Sequence, residues 1–272
     1  MAKDEAVRDL VNRLELPFNA LGVDPYGISK KHLATGFSIL GWMYRKYFRV
    51  HAVGVENVPK RGRAMLVGNH SGGYALDGAM VIASMMLEME PPRLAQGMAE
   101  KFINQLPIGS LWSSRTGQFT GLPEHAERLL LDDRLLMVFP EGAKGTAKLY
   151  KERYSLVDFG TGFVRLALKT KTPIVPLGFV GGGDAVPTVM NSYALGKIMG
   201  VPYVPVTPYG VALPLPVRCE VHYGAPMVFE GSGDEDDAVI KGYVEQVKNR
   251  IAELIDAART NRRSRLKGGG GR

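Results

Sequence analysis

Residues 64–87 constrain the fold more than any other stretch. Ala64 to Val67 is a short apolar run of strand length, and Asp77 to Leu87 (Asp-Gly-Ala-Met-Val-Ile-Ala-Ser-Met-Met-Leu) has the length and residue types of a buried helix. Between them lies Gly68-Asn69-His70-Ser71-Gly72-Gly73-Tyr74-Ala75-Leu76. A strand handing over to a helix through a glycine-rich loop is the repeating joint of an α/β sheet, and such joints carry the sites of those sheets. His70 and Asp77 stand on this joint. A carboxylate bonded to one imidazole nitrogen fixes the tautomer and lets the other nitrogen take a proton from a hydroxyl. The same two residues also suit a plain polar strand end and a helix N-cap, so the stretch alone leaves both readings open.

The rest of the chain keeps the α/β rhythm. Residues 1–16 read as helix, and Pro17, Gly22, Pro25 and Gly27 interrupt them. A second helix after Ser29 places Leu33, Phe37, Leu40 and Tyr44 at helical spacing. Its lysines, arginines and Trp42 would also suit a lipid interface, but docking on the core is the commoner outcome. Val50 to Val55 and Arg93 to Ala99 read as strands, and Lys101 to Leu106 is short and apolar. Pro123 opens a helix with an acid in its first turn. Leu135 to Phe139 is a buried strand, and Pro173 to Val180 is another. Pro202 to Pro216 reads as a proline-rich connector and Val217 to Tyr223 as a strand near an edge. A final helix starts at about Asp236, with Ile240, Val244, Val247, Ile251, Leu254 and Ala258 on one face. Strands alternating with helices predict one α/β domain with a mixed, largely parallel central sheet flanked by helices, plus a helical N-terminal extension.

A second dense stretch, Phe139-Pro140-Glu141-Gly142-Ala143-Lys144, ends the strand before it. If both strands are parallel, Glu141, Gly142 and Lys144 share a rim of the sheet with His70. Glycine lets backbone N–H groups approach an anionic or hydroxyl-bearing ligand; an ordinary turn with a surface lysine is the plainer alternative.

Other chemistries fit poorly. Ser71 sits in Asn-His-Ser-Gly-Gly rather than G-x-S-x-G. Gly160-Thr-Gly-Phe-Val-Arg165 lacks the third glycine of a dinucleotide fingerprint, and Gly142-Ala-Lys-Gly-Thr lacks phosphate-loop spacing. One cysteine and five scattered histidines make no zinc site. The lone Cys219, in a strand, excludes an intramolecular disulfide and suggests a reducing compartment. The amino terminus lacks the apolar region of a secretory signal, and no run reaches the roughly 18 apolar residues of a membrane span. Six of the positive charges behind the net +7 (Arg259, Arg262, Arg263, Arg265, Lys267 and Arg272) lie in a stretch free of acids. This glycine-ending tail, residues 259–272, reads as disordered, with anionic lipid or nucleic acid as candidate partners.

The combination of Asn69-His70 with Asp77, Gly117-Gln118-Phe119, Phe139 to Gly142, and the Pro173 to Pro176 strand resembles the glycerolipid acyltransferase family, which includes the 1-acylglycerol-3-phosphate acyltransferases. Order and intervals match from about Val53 to Tyr223. The resemblance implies transfer of a fatty acyl group from a coenzyme A or acyl-carrier-protein thioester to a lipid hydroxyl, with no metal or other cofactor. It also implies His70 as general base and Asp77 as its orienting acid. Asn69, Ser71, Gly72, Gly73, Arg115, Gly117, Phe139, Pro140, Glu141, Gly142 and Lys144 would line the substrate site. Residues 1–49 would be the extension, 50–258 the acyltransferase domain and 259–272 the tail. The enzyme would work as a cytoplasmic protein on the inner face of a membrane, with no nucleic-acid partner.

Three departures stand out. Six residues, Ser71 to Leu76, separate His70 from Asp77 where the family commonly has four. Gly117 to Gly121 lacks the arginine that meets an acceptor phosphate, Arg115 lying upstream, and Lys144 stands where an arginine commonly follows Phe-Pro-Glu-Gly. A neutral acceptor, an acylglycerol or long-chain alcohol, is therefore a serious alternative to a lysophospholipid. Two other classes also remain: a hydrolase using water or Ser71, and a non-catalytic lipid-surface or nucleic-acid binder acting through Arg259 to Lys267.

Overall fold

Apolar runs long enough for a strand but too short for a helix become the interior of a seven-stranded sheet. The computed structural model of the chain describes residues 2–72, 76–99, 113–120, 122–210 and 213–268. The strands are β1 (His51–Val53), β2 (Ala64–Gly68), β3 (Ala95–Ala99), β4 (Phe119–Thr120), β5 (Leu135–Val138), β6 (Ile174–Val180), β7 (Met190–Ser192), β8 (Val204–Val206) and β9 (Glu220–Tyr223). The main sheet has the order β1-β9-β6-β2-β5-β3-β4, and β7 and β8 pair separately. Among the described residues only β6–β9 is antiparallel in the main sheet, which makes it mixed and largely parallel, as the alternation of elements predicts.

The central strand, β2, is buried along its whole length. Alternation sends Ala64 and Leu66 into one apolar layer and Met65 and Val67 into the other, and β5 and β6 divide their side chains the same way. The first layer lies under α2 (Lys30–Trp42) and α3 (Leu76–Glu88); the second lies under α4 (Pro123–Leu131), α6 (Gly162–Thr170) and α9 (Asp237–Gly268). Between α4 and α6 the chain makes the short α5 (Gly142–Thr146), where the sequence suggests only a loop. The anticipated face of α9, from Ile240 to Ala258, is buried throughout, and the helix packs on β6 and β9.

The N-terminal helix α1 (Ala2–Asn12) rests on α2, and Val11, Leu14, Ile28, Leu33 and Phe37 close a third cluster with Met86 and Leu94. The extension therefore docks on the domain, leaving Ile39 and Trp42 exposed. Met80, Met85 and Met86 are core residues. The strand expected from Val217 begins at Glu220, and the stretch read as a plain connector contributes β8. Lys101 to Leu106 lies outside the described residues.

The predicted disordered tail is corrected over residues 259–268; residues 269–272 lie outside the described residues. Helix α9 continues to Gly268, and its arginines have partners on the rim of the sheet. Arg262 pairs with Asp184 and donates to the Arg218 carbonyl at 2.6 Å, while Arg259 lies over the Tyr154 ring and Arg265 stands 3.7 Å from Glu220. Charge and glycine content suggest disorder, but acids from distant elements meet Arg262 and Arg265, and Asp256 of the same helix meets Arg259. Arg262→Ala is expected to cost about 1–2 kcal/mol, because hydrogen bonds to charged groups are lost. Urea denaturation with an unchanged midpoint would show that the latch carries no stability.

Candidate active site

Strand β2 ends at Gly68, and β5 and β6 beside it run parallel, so the loops after all three emerge on one rim. Asn69 pins the first loop: its Nδ2 donates to the Phe179 carbonyl at 3.0 Å and its Oδ1 accepts from the Phe179 N–H at 2.8 Å. This amide completes β6 like a missing strand residue. Both polar groups of Asn69, which the resemblance implies in the substrate site, are thereby committed to β6.

His70 follows. Its Nδ1 lies 3.0 Å from Asp77 Oδ1. The acid also accepts from the backbone N–H groups of Gly78 at 2.8 Å and Ser71 at 2.9 Å. Asp77 is not the N-cap that its residue type also suited, since α3 already begins at Leu76; its carboxylate combines the pairing with His70 and acceptance from two backbone donors. Burial pushes the Asp77 carboxyl up, but His70 and the two backbone donors outweigh it, and the net shift is downward. With Nδ1–H directed at Asp77, Nε2 is left as the proton acceptor, and it makes no hydrogen bond among the described residues. The ring is stacked on Phe139, with centroids 4.2 Å apart and planes 17° from parallel.

The loop turns on Gly72, where φ is +87° and an added Cβ would lie 2.8 Å from the Lys148 carbonyl. Only glycine suits that combination. Gly73 lies outside the described residues. Ser71 is 1% exposed, with its Oγ 3.4 Å from Asp77 Oδ2, so it is not presented as a nucleophile.

Glu141, for which the resemblance implies a ligand contact, has both carboxylate oxygens engaged within the chain. One carboxylate oxygen accepts from the His70 N–H at 2.9 Å, and the other accepts from Val157 N–H at 2.9 Å and lies 2.5 Å from Lys148 Nζ. Lys148 also donates to the His70 carbonyl at 2.6 Å. Both side chains are buried, and burial pushes the Lys148 ammonium pKa down despite Glu141 beside it. The pair therefore grips the backbone of His70 on both sides. Gly145 permits this closeness, since a Cβ there would sit 2.8 Å from His70 Cβ. Pro140 accepts from Gly160 N–H at 3.0 Å, and Gly142 begins α5. Nothing in the local sequence marks Lys148; it lies seven residues beyond Glu141 and becomes recognisable only when α5 folds it back.

The expected cations are elsewhere. Lys144 is exposed on α5. Arg115 donates to the Gly27 carbonyl at 3.3 Å, and a Cβ on Gly117 would face Leu94 and Ile28, so this segment braces the N-terminal extension. The side chain of Phe119 lies outside the described residues. Cys219 is fully buried, and burial raises its thiol pKa to about 12. It should resist iodoacetamide at pH 8 in the folded protein and react only on unfolding; stoichiometric labelling of the native chain would contradict that burial.

Comparison with known proteins bears on the family and the fold. The family model described as Acyltransferase matches residues 49–180, from just before β1 to the end of β6. An uncharacterized protein of Mycobacterium tuberculosis (strain ATCC 25618 / H37Rv) is 33% identical over 236 residues, covering 83% of this chain and 66% of its own length. One of Mycobacterium leprae (strain TN) is 32% identical over 235 residues, covering 83% and 64%. This chain thus spans just under two thirds of those relatives. The 1-acyl-sn-glycerophosphate acyltransferase PlsC from Thermotoga maritima shares the fold, with a TM-score of 0.55 at 18% identity over 83% of this chain and 81% of that one. Residues 49–180, the stretch that carries His70, Asp77 and Glu141, are thus an Acyltransferase-family domain.

Proposed function

We propose that this protein is an O-acyltransferase that moves a fatty acyl group from a coenzyme A or acyl-carrier-protein thioester to a lipid hydroxyl. The observation that carries the proposal is the buried His70–Asp77 pair at 3.0 Å, with Nε2 left uncommitted among the described residues. His70 Nε2 takes the proton of the acceptor hydroxyl as its oxygen attacks the thioester carbonyl. The tetrahedral intermediate collapses with cleavage of the C–S bond, and the imidazolium returns the proton to the departing thiolate, leaving an ester and a free thiol. Asp77 stabilises the imidazolium without becoming protonated. The activated thioester supplies the driving force, so the proposed reaction requires no metal.

A groove of about 230 Å³ between α2 and α3 supports a fatty chain. It is lined by Phe37, Leu40 and Met43 on one side and by Ala79 and Ile82 on the other, beginning two residues beyond Asp77. Ala79→Trp is expected to shift the preferred donor towards shorter chains by several carbons, read by competition among acyl-CoA species. An unchanged profile would place the chain elsewhere.

The acceptor we favour is neutral, an acylglycerol or alcohol, because Arg115 and Lys148 are committed to backbone and Glu141, and of the expected cations this leaves only the solvent-exposed Lys144 for a phosphate. The enzyme is proposed to act as a cytoplasmic protein on the inner membrane face. The test supplies acyl-CoA with acylglycerols, long-chain alcohols and lysophospholipids and follows ester products by mass spectrometry. The expected result is a His70-dependent ester, with higher kcat/KM for the neutral acceptors. Free acid release with no ester from any acceptor would favour hydrolysis instead.

A further inference from the structure

Residues 185–217, between β6 and β9, contain a single charged side chain, Lys197. They lie beyond the end of the family match at residue 180. This excursion folds as β7, the short helix α8 (Tyr193–Met199) and β8, and it displays apolar side chains to solvent: Tyr193 is 65% exposed, Ile198 82% and Leu213 86%. On α8 the buried Gly196 faces Tyr203, while Tyr193, Ala194, Lys197 and Ile198 fall at i, i+1, i+4 and i+5 on the opposite face. An apolar surface of this kind on a chain with a sizeable core needs an occupant.

Its base abuts the catalytic loop. Asn191 Nδ2 donates to the Ala147 carbonyl at 2.7 Å, two residues beyond Gly145, which touches His70; Tyr150 N–H donates to the Thr188 carbonyl at 2.8 Å. The exposed Lys144 and Lys151 flank this base, and the neighbouring Glu152 carboxylate is turned onto the Leu149 N–H at 3.1 Å.

We infer that this excursion is a wedge that enters a lipid surface and brings the rim of the sheet, with His70, to the bilayer. The inference rests on the proposed lipid acceptor. Apolar tips, tyrosines and a few cations without opposing acids match the sequence of environments met on entering a bilayer: anionic or zwitterionic headgroups, the interface where tyrosine rings sit, then acyl chains. A second copy of the chain fits less well, because a self-contact on this face would bury Lys197 with no acid of the segment to pair it.

The test is flotation of the full chain with vesicles of phosphatidylcholine alone and with added phosphatidylglycerol. Wild-type protein is expected to float with both, more strongly with the anionic vesicles. A Tyr193→Ser, Ile198→Ser, Met199→Ser variant is expected to lose at least tenfold in the bound fraction while keeping its melting temperature and elution volume. Ile198→Trp, which keeps the face apolar, should be quenched by phosphatidylcholine brominated in its acyl chains. Absence of wild-type flotation, equal flotation of the triple variant, no bromine quenching, or conversion of a dimer to a monomer by the triple substitution would each overturn the wedge. Vesicle binding that needs Ile198 in a chain inactive towards every acceptor supports the wedge and overturns the proposed chemistry instead.

Discussion

A chain carrying His70→Ala is expected to transfer acyl groups about 10³- to 10⁴-fold more slowly than the parent, the range supplied by a positioned general base. The imidazole is the group that can take the hydroxyl proton beside Phe139, and the alanine variant leaves the thioester intact but the alcohol unactivated. Asp77→Asn is expected to cost about 10²- to 10⁴-fold, and the orientation of the new amide decides where in that range it falls. With the amide oxygen in the Oδ1 position, it still accepts from His70 and Gly78, so the tautomer survives, but the charge is lost and the Ser71 N–H loses its acceptor. With the amide nitrogen there, two donors oppose the His70 ring and the Gly78 N–H, and the imidazole must present the wrong tautomer. Release of free thiol, followed with a chromogenic disulfide alongside calorimetry, separates these losses from unfolding. A His70→Ala chain that melts like the parent and retains its kcat would remove the general-base assignment.

The elements around this pair were largely legible in the sequence because their patterns are local. β2, β5 and β6 are apolar runs of strand length, and α9 carries its buried face at helical spacing over five turns. His70 and Asp77 could be singled out because both stand on one loop. What the sequence did not disclose depends on residues far apart in the chain. Asn69 recognises Phe179, 110 positions away, and looks like a ligand group until that strand edge is seen. Glu141 was recognisable as a site residue, but its role as a brace depends on Lys148 and on the Val157 backbone. Lys144, the nearer lysine, drew attention by its proximity alone. The tail was misread for the same reason: local charge predicts repulsion, while Asp184 and Glu220 arrive from β-rim positions that only the folded sheet assembles.

The Glu141–Lys148 clamp supplies the second large effect. Lys148→Met removes the cation but leaves a buried carboxylate, and breaking such a pair from one side costs about 3–5 kcal/mol. The two N–H groups that still reach Glu141, from His70 and Val157, place the expected loss near the lower end. The His70 carbonyl also loses its donor, so kcat should fall by about tenfold or more while KM changes little, since the loop that aims the imidazole is slackened. Adding Glu141→Gln should restore part of the stability, because the amide oxygen can keep one backbone donor and no charge is left uncompensated. Little kcat should return, since the clamp is still absent. The pH dependence has a definite sign. Burial lowers the Lys148 pKa in the folded state, so the unfolded chain binds its proton more tightly. In the alkaline window between the lowered value and the ordinary lysine value, parent stability therefore gains from this group as pH rises, and Lys148→Met lacks that gain. Urea titrations of the parent, both single variants and the double variant, at neutral and alkaline pH, measure the coupling directly. Strictly additive losses, or equal pH slopes in parent and Lys148→Met, would show that the two side chains hold His70 independently rather than as one buried unit.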